Sequence, residues 1–138
     1  MQRKNRLTTF FLFFIVSSVE AYASSCGQQS IRYSYDKKMI QKQETICLIG
    51  SLAASSQNCL LPTNPTCPSS KIVKTKNFSE FLSADKSPGI NLCESLGGKA
   101  STYEILISKK WVPFQRCHFN ESSDFIDLDT LVAYYKTL

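Results

Sequence analysis

The sequence predicts a small α+β fold of antiparallel hairpins and two or three short helices, stapled by disulfides. Three observations predict it. Six cysteines stand in a 138-residue chain behind an N-terminus with the parts of an export signal, and an even number in an exported chain reads as three bridges. Short runs with the two-residue apolar period of half-buried strands recur around polar turns. Two helix-start signals, Asn77-Phe78-Ser79-Glu80 and Ser87-Pro88, are each followed by about two turns of apolar periodicity.

Taken in order, Met1 to Ala23 reads as a signal peptide. Arg3, Lys4 and Arg6 give the positive start, Phe10 to Val16 is unbroken apolar sequence, and Ala21-Tyr22-Ala23 offers small residues where cleavage needs them. The mature chain then begins at Ser24, exported to a periplasmic or secreted location. The apolar run is far short of the roughly 20 residues that span a bilayer, so no transmembrane segment is expected. Ala23-Ser24-Ser25-Cys26 is a poor version of the pattern preceding a lipid-modified cysteine, and a lipid anchor at Cys26 is the lesser alternative. Of 16 basic and 11 acidic residues, 13 and 10 remain after cleavage, a net charge of +3. So mild and interspersed a balance argues for a solvated surface and against nucleic acid.

The mature part divides into a β-hairpin region (24–58), a Pro/Ser-rich connector (59–70) and a C-terminal α+β domain (71–138). Ile31, Tyr33 and Tyr35 alternate with polar residues as one strand; Asp36-Lys37-Lys38 is a turn, and Met39 to Ile49 a second strand ended by Gly50. Cys47 can hold this hairpin to Cys26 or to something farther away. Pro62, Pro65 and Pro68 remove ladder donors and fix φ, which makes a connector of the segment that Cys59 and Cys67 bracket. A constrained inhibitor-like loop at Leu60 to Thr66 is the functional alternative. Lys71 to Lys76 suggests a short strand, and Phe78, Phe81 and Leu82 share a face of a helix capped by Asn77. Asn77-Phe78-Ser79 and Asn120-Glu121-Ser122 are also glycosylation sequons.

Ser87 caps the next helix, Pro88 opens it, and Ile90, Cys93 and Leu96 recur on one side before Gly97-Gly98 stops it. Ala100 to Ile107 and Trp111 to Phe119 follow as strands around Ser108-Lys109-Lys110, with Val112, Phe114, Arg116 and His118 on one parity. Pro113 places the second strand at an edge or bulge. The favoured bridges are Cys26 with Cys47, Cys59 with Cys67, and Cys93 with Cys117, the last clamping the short helix to its hairpin. Asp124 to Leu128 reads as a short extended piece, and Asp129 as the cap of a last helix, Thr130 to Lys136.

Pro88, Asn91, Cys93, Gly97-Gly98-Lys99 and Cys117-x-Phe119, followed by a polar turn and an aromatic end, resemble a small secreted bacterial domain of unknown function labelled a hemolysin. The resemblance covers 87–135. Asn120-Glu121-Ser122 replaces that family's Asp-Gly-Ser turn, and no cysteine follows Cys117. Lysis itself needs a membrane-active surface, and beyond the signal there is no long amphipathic helix.

For catalysis, the candidate constellation is His118 with Ser122, Ser123, Asp124, Asp127 and Asp129. Chain proximity alone does not make these converge. No catalytic residue is assigned, no metal site follows from a chain with a single histidine and no Cys-x-x-Cys, and no cofactor is implied. Tyr103, Trp111 and His118 form the candidate binding surface, drawn from an aromatic set that includes Phe114, Phe119 and Tyr134. The expectation is an exported, non-catalytic, disulfide-stabilised protein that binds or inhibits another envelope or extracellular protein. The alternative is a small secreted hydrolase or toxin using His118.

Overall fold

The computed structural model describes residues 24–50, 53–83, 85–119 and 123–138; the expected signal peptide, Met1 to Ala23, and the Asn120 sequon lie outside them. It corrects the α+β expectation. Among the described residues, six antiparallel strands form one sheet in the order β3-β2-β1-β4-β5-β6, curled until its two edges nearly meet, and only two α-helices accompany it. The strands are β1 (Ser24–Tyr35), β2 (Lys38–Ile49), β3 (Ala53–Ser55), β4 (Gly98–Ile107), β5 (Lys110–Phe119) and β6 (Phe125–Asp127). The helices are α1 (Pro88–Ser95) and α2 (Leu128–Thr137).

The sheet exceeds its expected share because pairing carries β1 and β2 through polar sequence. Both run 12 residues, paired from Ser24–Ile49 to Tyr35–Lys38, although Gln28, Ser30, Gln41 and Gln43 have no strand preference of their own. Their outward side chains complete the ladder by bonding across it: Gln28 Nε2 donates to Thr45 Oγ1 at 2.6 Å and Gln43 Nε2 to Ser30 Oγ at 2.7 Å. The first hairpin turns at Asp36-Lys37 and the second, β4–β5, at Ser108-Lys109. All four residues have positive φ, as tight two-residue hairpin turns demand.

Helix content falls short for local reasons. The helix expected from Asn77 is a four-residue 3₁₀ turn, Phe78–Phe81, in which the Asn77 amide donates to Glu80 Oε1 at 3.0 Å. No strand forms over 71–76. There the backbone at Lys76 is tied to Tyr135 instead, whose hydroxyl donates to the Lys76 carbonyl at 3.0 Å and accepts from its amide at 3.2 Å. The last helix begins two residues early, capped by Asp127 and not by Asp129: its Oδ1 accepts from the amides of Asp129 and Thr130 at 2.9 and 3.2 Å.

Two cores result. Inside the curl lie Ile31, Ile46, Ala54, Tyr103, Ile105, Phe114 and Phe125. Outside, where α1 and α2 cover β5 and β6, Leu92, Phe119, Ile126, Leu131 and Tyr135 gather around the Cys93–Cys117 bridge together with Cys59 and Cys67. The third bridge, Cys26–Cys47, crosses directly between β1 and β2. The Gly97-Gly98 pair follows from the clamp. Gly97 has φ +79°, and a Cβ on Gly98 would lie 2.5 Å from Cys117 Sγ and 2.9 Å from the Cys93 carbonyl oxygen.

Ring closure is brief. The Ser56 amide donates to the Phe125 carbonyl at 3.1 Å, and the Phe125 amide to Ser56 Oγ at 3.1 Å. The joint between β1 and β4 is also short, with Ile31 opposite Ile105 and Arg32 opposite Glu104.

Candidate functional site: a cleft at the β1–β4 seam

Directly paired residues point to the same side of a sheet, so the register that places Ile31 beside Ile105 and Ile105 beside Val112 sorts every side chain. Tyr33, Glu44, Tyr103, Phe114, Arg116, His118 and Phe125 face inward; Arg32, Glu104 and Trp111 face outward. The inward parity of β5 therefore carries a charge into the apolar interior. Arg116 is 7% exposed, and its guanidinium lies 4.3 Å from the Tyr103 ring centroid and 4.9 Å from that of Phe125. Its Nη1 donates to Glu44 Oε1 at 3.1 Å, and the other carboxylate oxygen of Glu44 is 3.2 Å from Lys42 Nζ. A buried charge persists only when paired in this way.

Where β1 and β4 part, a cleft of about 360 Å3 opens, lined by Tyr33, Ser34, Tyr35, Lys99, Ser101, Thr102, Tyr103, Arg116 and His118. Burial pushes the Tyr103 phenol well above its ordinary pKa, outweighing the nearby Arg116. Burial, aided by Arg116, holds His118 below the usual imidazole value, and its ring packs 5.5 Å from that of Phe125. His118 is thus a half-buried group at the cleft wall, its charged form disfavoured. A second hollow, of about 390 Å3, lies at the closure between Glu44, Ser56, Asn58 and Phe125.

The three residues of the expected binding surface do not converge. Tyr103 and His118 line the cleft, whereas Trp111 is on the opposite face of the sheet, with the Arg32 guanidinium 4.5 Å from its ring centroid. Arg32 also holds Glu104, whose pKa it lowers. In the catalytic set His118 meets the backbone of Asp124, but the carboxylate of Asp124 accepts from Asn58 Nδ2 at 3.2 and 3.3 Å, and that of Asp127 caps α2. Ser122 is outside the described residues. Among these, no group of three or more His, Cys, Asp or Glu side chains is arranged to hold a metal ion. The Leu60 to Thr66 loop is folded into turns, its Asn64 amide donating to the Leu61 carbonyl at 3.0 Å, unlike the extended segment that strand-pairing recognition uses.

Sequence reasoning missed Arg116, Glu44 and Lys99. The missed signal was an arginine on the same parity as Val112 and Phe114, the apolar side of its strand. No family model, no curated protein and no solved structure matches this chain.

Proposed function

We propose that this is an exported, non-catalytic binding protein that recognises another envelope or extracellular protein through the open end of its curled sheet. The observation that carries the reading is the seam cleft: a concave site with tyrosines at its edge and basic groups on its wall, the composition of protein-recognition surfaces. Tyr35 and Met39, at the tip of the first hairpin, are 69% and 61% exposed and extend the apolar rim.

Export is supported by three bridges that use all six cysteines. No helix among the described residues is long and apolar enough to cross a membrane. The bond from Cys26 to Cys47 favours plain cleavage over a lipid on Cys26. The residues behind the hemolysin-like resemblance are structural here: Pro88 opens α1, Asn91 Nδ2 donates to the Phe81 carbonyl and to Ser83 Oγ, both at 2.8 Å, and Gly98 makes room for the clamp. Kinship with that family would therefore concern the fold and not lysis.

The test is capture from envelope and culture extracts with the oxidised protein as bait, beside a Tyr33→Ala/Tyr35→Ala variant and a His118→Ala variant. Binding reduced at least ten-fold by the tyrosine change and retained without His118 is the expected result. Dependence on His118, with turnover of an ester, amide or glycoside probe, would replace this reading with the hydrolase.

A further inference from the structure

Beyond Arg32 and Glu104, the end of β1 (33–35) keeps its ladder to β2, and the beginning of β4 (99–103) its ladder to β5, but the two form no ladder with each other. Two strand edges thus face one cleft with backbone donors and acceptors unused by pairing, the arrangement that recruits an added strand. The side chains give the charge of what fits: Lys99 is the cation of the lining, Arg116 keeps an Nε donor beyond its bond to Glu44, and among the described residues no carboxylate lines the cleft.

A second, independent observation lies beneath the same cleft. Tyr103 Oη and Arg116 Nε are buried without a hydrogen-bond partner, on residues 2% and 7% exposed. Buried donors in native structures are almost always satisfied, so two adjacent exceptions call for an acceptor that arrives from outside. Both atoms are covered, and an entering group reaches them by parting a seam that two residue pairs hold.

We propose that the cleft accepts an extended acidic segment of a partner protein, added as a strand between β1 and β4, with its carboxylates toward Lys99, Arg116 and Tyr103. The proposal rests on reading the protein as a binder and specifies what is bound. Backbone pairing fixes the segment's direction, and the floor selects glutamate or aspartate over their amides.

The experiment is an amide NMR titration of the full oxidised protein with the capped peptide Thr-Glu-Val-Glu-Val-Glu-Thr, its Gln-for-Glu analogue and inorganic phosphate. Shifts centred on 33–35 and 99–103, with the analogue at least ten-fold weaker, are expected. A Ser34→Cys/Thr102→Cys pair, opposite each other if the register continues and both exposed, should staple the seam and abolish binding. Should that variant misfold, Lys99→Glu serves, with an expected ten-fold loss. Equal binding of both peptides, shifts elsewhere, no binding at millimolar peptide, or phosphate displacing the peptide and reproducing its shifts would each overturn the proposal. A protein that still captures its partner from extracts but ignores the peptide keeps the binding reading and loses this one.

Discussion

The two long hairpins are built alike and anchored differently. Each turns through a pair of non-glycine residues at positive φ and is paired along its whole length, and each carries a bridge that closes a similar stretch of chain, 21 residues for Cys26–Cys47, both ends of which lie in the first hairpin, and 24 for Cys93–Cys117, of which only Cys117 lies in the second. The first bridge joins two strands that the ladder already holds together; the second joins a strand to a helix. Hence β4–β5 is fixed to α1 and α2, while the end of β1–β2 beyond Arg32 is fixed to itself. A crosslink within an element stiffens that element, and only one between elements decides how the elements sit together.

The largest expected effect tests the anchored side. Because chain entropy depends weakly on loop length, both bridges should contribute about 3 kcal/mol through the unfolded state, and any excess measures their surroundings. Cys93→Ala/Cys117→Ala also empties a fully buried site and should cost about 5 kcal/mol in denaturant unfolding, with Gly98→Val similarly damaging. Cys26→Ala/Cys47→Ala, in which Cys26 is exposed, should cost about 3 kcal/mol or less and speed hydrogen exchange in β1–β2 alone. Equal losses from the two pairs would erase the distinction.

A smaller effect is pH-dependent and belongs to the anchored side as well. Burial raises the Asp127 carboxyl from 3.8 to about 6, against the amides of Thr130 and Asp129, which favour its charged form. The folded state therefore holds this proton more tightly than the unfolded chain does. Its contribution to stability is greatest below about pH 4 and declines as pH rises through about 6. Asp127→Asn keeps a good cap and removes the buried charge. It should be more stable than the parent by about 1 kcal/mol at pH 7.5, with the gap closing by pH 4. A gap that does not change with pH would show that Asp127 is not the titrating group.

The smallest effect tests the likeness of the turns. Lys37→Gly and Lys109→Gly each relieve a positive φ, partly offset by the freedom glycine adds to the unfolded chain, and should gain about 0.5 kcal/mol by thermal unfolding. A gain at 109 with none at 37 would mean that the first turn is already frayed.

Much of the hairpin architecture was legible because it is local. The alternations at Ile31-Tyr33-Tyr35 and Tyr103-Ile105-Ile107, and the polar turns after them, stand in the sequence. The extension of β1 back to Ser24 was not, since Gln28 and Ser30 gain strand character only from Thr45 and Gln43 opposite them. The Phe78–Phe81 segment was over-read because its cap signature is genuine while packing against Tyr135 leaves room for one turn. The cleft was the least legible part. Arg116 and Glu44 are 72 residues apart, and their meeting depends on how far the sheet curls, which no local pattern records.

The order of the three bridges has a consequence for how the protein is made. Each cysteine is bonded to the next one along the chain, first with second, third with fourth, fifth with sixth. A polypeptide threading N-terminus first into an oxidising compartment can therefore close every bond as its second partner emerges, without undoing an earlier one. Refolding of the reduced chain should gain little from a disulfide isomerase. Closure of the sheet at Ser56 and Phe125 is a long-range joint whose second partner follows the last cysteine in the chain.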